Sequence, residues 1–178
     1  MNIRNDASPS QVTPSQGRAE SIEKLAELIR DVDIAMLTTI ARSGHLVSRP
    51  LGTQQVEFDG DLWFATACDS SKAEEILAHP NVNVAYASPS RDIYVSVAGR
   101  ASLVHDRAKI EQLWSPRMQL YFHGGKDDPD LCLIRVQVDS AEYWDGHGRR
   151  LGQVLHLLLS AVTDEPASLQ ENERIDLR

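Results

Sequence analysis

The stretch Leu46-Val47-Ser48-Arg49-Pro50-Leu51, followed by Asp61-Leu62-Trp63-Phe64-Ala65-Thr66-Ala67 and then Cys68-Asp69-Ser70-Ser71-Lys72, decides the reading of this chain. Two runs rich in β-branched and aromatic residues read as strands, and the second leads directly into the helical pattern Ala73-Glu74-Glu75-Ile76-Leu77. The order brings an arginine, two serine hydroxyls and a lysine to strand ends and a helix start. A helix N-terminus offers unpaired N–H groups and partial positive charge, and Arg and Lys supply formal charge, so the pattern fits a phosphate pocket. Ser71-x-x-Glu74 is equally well an ordinary capping box that serves only its own helix. Arg49 tilts the balance toward the anion, because a strand of an acidic protein has little structural need for an arginine followed by proline.

Outward from this stretch the chain has 178 residues, enough for one domain with a sizeable core. The formal charge of −8 and a pI of about 5.2 repel nucleic acid and anionic membranes, so neither is an expected partner. The two cysteines, Cys68 and Cys132, lie far apart without Cys-x-x-Cys spacing; they are read as small buried residues of a protein in a reducing compartment. Residues 1–18 read as a polar tail without the apolar core of a signal peptide, and the expected location is cytoplasmic. The most apolar segment, Leu151 to Val162, contains Gln153 and His156 and is too short to span a bilayer; it reads as a helix of a domain over residues 19–163, with a polar tail over 164–178.

Ile22, Leu25, Leu28, Ile29 and Val32 recur at helical spacing and predict an amphipathic helix over residues 19–31. From there the texture is β: Ile34–Ile40, Leu46–Phe58, Asp61–Ala67, Val82–Ala87 and Asp92–His105, then Leu131–Val138 continuing towards Tyr143-Trp144. Asp59-Gly60 reads as a hairpin turn between the second and third strands. A capped helix runs from Asp106 to Trp114, burying Ile110, Leu113 and Trp114. Between Ser115 and Pro129 lies a loop long enough to be a lid or part of an interface. Closely spaced strands with short helices predict a mainly β fold, an antiparallel barrel of six or seven strands.

None of the standard catalytic patterns is present: there is no P-loop, G-x-G-x-x-G, H-E-x-x-H or G-x-S-x-G. The six histidines are scattered without metal spacing, so no metal is expected and no catalytic residue stands out. Chemistry would have to come from something bound in the pocket.

The order of Leu46–Leu51, Leu62–Thr66, Ser70-Ser71-Lys72-Ala73, Val95-Ser96-Val97-Ala98-Gly99 and Ala141-Glu142-Tyr143-Trp144-Asp145-Gly146 resembles the pyridoxamine 5′-phosphate oxidase-like flavoproteins. Within them it is most similar to the general stress protein 26 branch, to which the segment with Trp114, Phe122, Gly124-Gly125 and Asp128-Pro129 also belongs. The resemblance implies a six-stranded antiparallel split barrel of Greek-key type, a homodimer, and FMN in the clefts between subunits. It assigns Arg49, Pro50, Leu51, Ala65, Thr66, Ser70, Ser71, Lys72 and Trp144 to the cofactor, and Gln54, Trp114, Phe122 and Arg150 to the substrate side. True pyridoxamine-phosphate oxidases carry a lysine at Gln54 and a histidine at Gly152, so the resemblance implies FMN without vitamin B6 oxidation. The function this implies is that of an FMN-binding general stress protein, either an oxidoreductase of an unidentified small molecule or a flavin-sequestering protein that acts through a partner.

Overall fold

The computed structural model describes residues 14–54, 58–145 and 173–176. Helix α1 (Pro14–Ile29) precedes strands β1 (Ile34–Ile40), β2 (Leu46–Gly52) and β3 (Asp61–Ala67). Helix α2 (Ser71–Ala78), β4 (Asn81–Ser88), β5 (Ile93–Val104), α3 (Arg107–Leu113) and β6 (Leu131–Asp145) follow, and β7 (Glu173–Asp176) comes last. The strands form an antiparallel sheet in the order β2-β1-β4-β5-β6-β3, curled into a half-barrel, so the expected mainly β split-barrel architecture holds. The barrel is not fully closed, because no ladder joins β2 to β3 among the described residues.

That gap overturns the expected hairpin at Asp59-Gly60. β2 pairs with β1, while β3 pairs with β6, from Asp61↔Gln137 to Ala67↔Leu131. The turn chemistry is real but serves another strand: the Asp59 carboxylate accepts from the Asp61 N–H, and the Gly60 carbonyl, at φ 107°, accepts from the Val138 N–H. β2 also stops at Gly52 instead of continuing to Phe58. Pro50 can donate nothing to a ladder, which suits β2 to an edge of the sheet.

β6 is the backbone of the domain. β5 runs along one of its edges for its whole length, and β3 and then β7 share the other, β7 through Ser140↔Asp176 to Tyr143↔Glu173. The segment read as a polar C-terminal tail thus contributes a strand. The β5 and β6 registers slip at Ala98/Gly99, where a Cβ on Gly99 would collide with the Gln137 carbonyl and stand 2.9 Å from Val136 Cγ1. The predicted helix over Leu151 to Val162 lies outside the described residues.

Alternation along β3 and β6 creates two cores. Leu62, Phe64, Ile134 and Val136 point into the barrel, where Leu25 and Leu28 of α1 cover them. Trp63, Ala65, Leu131 and Leu133 face the other way, onto Ile110, Leu113, Met118 and Phe122. The Asp106 carboxylate caps α3 by accepting from the Ala108 and Lys109 N–H groups, as the sequence implies, and Trp114 follows as the C-cap, half-buried on this second core. Helix α1 begins earlier than expected; at its other end Asp31 adopts φ 62°, and Arg91 donates to the carbonyls of Leu28 (3.0 Å) and Arg30 (2.5 Å).

The strands also join the two cysteines. Thr66↔Cys132 is a register pair and the Cys68 N–H donates to the Asp130 carbonyl at 2.8 Å, so cysteines 64 residues apart form a disulfide with a Cα separation of 5.1 Å. The reading of two separate buried thiols fails on strand pairing that sequence spacing does not reveal. No described helix is long and apolar enough to cross a membrane.

Candidate functional site

The seam between β2 and β3 opens into a cleft of about 690 Å³, within the size range of small-molecule and cofactor sites. Its walls are Pro50, Leu51, Gly52, Thr53 and Gln54 from the end of β2, and Ala65, Thr66 and Ala67 from β3. Lys72, from the first turn of α2, also lines it. The loop after α3 supplies Arg117, Met118, Leu120, Tyr121 and Phe122 through a 3-10 turn at Met118–Leu120. This places the loop expected to be a lid or interface on the rim, where Leu120 and Tyr121 are 74% and 78% exposed.

Of the residues assigned to a cofactor, Pro50, Leu51, Ala65, Thr66 and Lys72 therefore converge on one cleft, together with Gln54 and Phe122 from the substrate side. Ser70 and Ser71 stand just outside its wall. The capping box is not formed: Ser70 is the N-cap, its hydroxyl pairs with that of Thr66 at 3.1 Å without capping the helix, and Ser71 is the exposed first helical residue. The Ala73 and Glu74 amides donate to the Ser70 carbonyl, and those of Ser71 and Lys72 at the start of α2 have no acceptor within the helix. Lys72 makes no hydrogen bond or ion pair among the described residues. Partial burial, and then the nearby Arg49 guanidinium, hold its pKa below the usual lysine value, against the opposing pull of Glu75.

Arg49 is not free to meet an anion with its whole fork. It donates to Glu75 from both terminal nitrogens, at 2.7 and 2.8 Å, and to the Thr39 hydroxyl at 2.9 Å. Thr39 in turn donates to Glu75 at 2.6 Å. Glu75 is only 6% exposed, and the hydrogen bond from Arg49 holds its carboxyl below the usual carboxylate range despite burial. Arg42 and Glu74 pair at the surface of the same junction, at 2.9 Å. Sequence reasoning missed Glu75 and Thr39. Glu75 had a signal: it falls one turn after Ser71 and Lys72, and a carboxylate on a helix face that packs on a sheet needs a cation.

Trp144 does not reach the cleft of its own chain. It pairs with Tyr94 near the far end of β6, eleven residues beyond Leu133, which is opposite Ala65; that is roughly 35 Å of strand. Trp114 packs on the second core beside the cleft and is not on its wall. Arg150 and Gly152 lie outside the described residues.

Comparison with known proteins gives the family. The family model described as "Pyridoxamine 5'-phosphate oxidase like" matches residues 20–167. The chain is 26% identical over 166 residues to "Protein bli-3" of Neurospora crassa, covering 88% of this chain and 79% of that protein. It is 32% identical over 79 residues to "General stress protein 26" of Bacillus subtilis, covering 43% of this chain and 56% of that one. Among solved structures, the "general stress FMN/FAD binding protein" of Xanthomonas citri is 28% identical with a TM-score of 0.62, over 71% of this chain and 89% of the other. Since the matched span takes in α1 from residue 20, strands β1 to β6 and every described wall of the cleft, the chain belongs to the pyridoxamine 5′-phosphate oxidase-like family.

Proposed function

We propose that the chain is a flavin-binding protein of the general stress protein 26 type, holding FMN in the β2–β3 cleft of a homodimer and serving as an oxidoreductase of a small molecule. The observation that carries this reading is Lys72: an ammonium with no hydrogen bond or salt bridge among the described residues, on the wall of the cleft and in the first turn of a helix whose Ser71 and Lys72 amides have no acceptor within it. A phosphate monoester matches that donor set. Pro50, Leu51 and Ala65 offer apolar walls for a planar ring, with Thr66 and Gln54 as polar groups on the same surface. FMN, when bound, supplies hydride-transfer chemistry. Arg49, held by Glu75, positions the β2 wall against α2.

Two features support the dimer. The rim of the cleft is apolar and exposed at Ile34, Leu120 and Tyr121, a face that a second copy would cover. Trp144 can contact a flavin only from a second copy, given its distance along β6. The reading includes a cytoplasmic location.

The test is an FMN titration of the wild type and Lys72→Ala. Loss of one charge-assisted hydrogen bond, worth about 1.5–3 kcal/mol, predicts roughly 10- to 150-fold weaker binding. Equal affinity in both proteins refutes the site. A second reading, flavin binding without turnover, draws support from the cleft wall itself, which carries no Asp, Glu or His among the described residues. Anaerobic mixing of the FMN-loaded protein with NADH or NADPH separates the two: bleaching at a useful rate supports the oxidoreductase, and its absence the binding protein.

A further inference from the structure

Three soft or borderline metal ligands meet at the end of the β3–β6 ladder, beside the Thr66–Ala67 wall of the cleft but not on its lining. Cys68 follows the last residue of β3, Cys132 is the second residue of β6, and His105 follows the end of β5, just before the Asp106 cap of α3. Their Sγ and ring-nitrogen atoms all lie within 4.8 Å of one another. Both cysteines are pinned by backbone pairing, Cys132 opposite Thr66 in the ladder and the Cys68 N–H on the Asp130 carbonyl at 2.8 Å, and His105 directly follows the Val104↔Leu133 pair.

We propose that Cys68, Cys132 and His105 form a redox-gated site for one thiophilic metal ion of the zinc class, a disulfide when oxidised and a metal centre when reduced. Bonds of about 2.3 Å to sulfur and 2.0–2.1 Å to nitrogen put the ligand atoms of a tetrahedral site roughly 3.3–3.8 Å apart. The three atoms, within 4.8 Å of one another, come to those separations when the sulfur–sulfur bond opens and the exposed His105 ring closes by about 1 Å. Cys132 is buried, Cys68 half-buried and His105 exposed, so the fourth position faces solvent on the His105 side and is filled by water. A dithiol reductant drives the exchange: the sulfur–sulfur bond breaks, each sulfur takes one electron and one proton, and the dithiol leaves as its own disulfide. The metal then displaces both thiol protons to water, and neutral His105 binds through its ring lone pair. Disulfide and metal are mutually exclusive occupants of one site.

The full chain, reduced anaerobically with a phosphine that does not chelate, is titrated with Co²⁺ alone. The expected result is one Co²⁺ per chain with a thiolate-to-cobalt charge-transfer band, no band in the oxidised protein, and loss of the band in Cys132→Ser. His105→Ala, an exposed position whose fold is checked by circular dichroism, should bind at least about tenfold more weakly. The proposal is overturned if the reduced wild type gives no band or resists the phosphine, or if His105→Ala binds as tightly as the wild type.

Discussion

Replacing Glu75 by glutamine leaves the Arg49 guanidinium half-enclosed between β2 and α2 without its counter-charge. The carboxylate is 6% exposed and accepts two hydrogen bonds from Arg49, at 2.7 and 2.8 Å, plus one from Thr39 at 2.6 Å. Breaking a buried pair from one side costs about 3–5 kcal/mol; because the Arg49 side chain is 26% exposed, water recovers part of that and about 2–4 kcal/mol is expected. Urea unfolding with a slope of about 2 kcal/mol per molar should then show the midpoint falling by about 1–2 M. The double replacement Arg49→Met with Glu75→Leu removes both charges and should recover most of the loss, since an apolar pair of similar volume substitutes for an ion pair at little cost. Acid provides an independent check. Glu75 has a lowered pKa in the folded chain, so its contribution is complete above the ordinary value of 4.5 and disappears as pH falls through the lowered one. Wild type and Glu75→Gln should converge in stability on acidification. A Glu75→Gln cost below about 1 kcal/mol at neutral pH, or a double variant as unstable as the single one, would refute the reasoning.

Lys72 has a pKa held below 10.5 by burial and by Arg49, and a bound phosphate favours its charged form, so FMN affinity should fall as pH rises through that lowered value; the fall should be absent in Lys72→Ala when followed by fluorescence titration. Reducing the Cys68–Cys132 bond in metal-free protein releases a 64-residue loop in the unfolded chain and should lower stability by up to about 4 kcal/mol, read as a drop in the urea midpoint with added phosphine. Gly99→Ala forces a Cβ against the Gln137 carbonyl and Val136 at the slip between β5 and β6; a loss of about 1–3 kcal/mol in thermal or urea unfolding is expected, and a neutral outcome would mean that the ladder yields there.

What the sequence made legible was whatever depends on near neighbours. Alternation located the strands, the Asp106 cap located α3, and the run from Ala65 to Lys72 brought a strand end and a helix start to one cleft wall. What it hid depends on pairings across long separations. Asp59-Gly60 has the chemistry of a hairpin turn, but β6 offers β3 a partner whose Leu133 and Ile134 are buried on opposite faces, and that burial outweighs a local turn preference. Arg49 reads as a free cation until α2, 26 residues later, delivers Glu75 to it. Cysteine spacing says nothing about a bond made by the ends of two ladders, and the place of Trp144 emerges only when β6 is followed along its full length.

The β1–β2 hairpin joins the rest of the sheet through a short seam. β1 meets β4 over only Ala35↔Tyr86 to Thr38↔Asn83, whereas β5 and β6 are paired from Ile93↔Asp145 to Val104↔Leu133. The hairpin forms one jaw of the cleft, and the Arg49–Glu75 and Arg42–Glu74 pairs act as clasps that hold it to α2. Breathing of the cleft should therefore begin at these clasps, with amide hydrogens of β1 and β2 exchanging well before those of β5 and β6. The width of the entrance is then set by electrostatics at its back edge, so ionic strength, acting on the exposed Arg42–Glu74 clasp more than on the buried one, tunes how readily a large planar guest gets in.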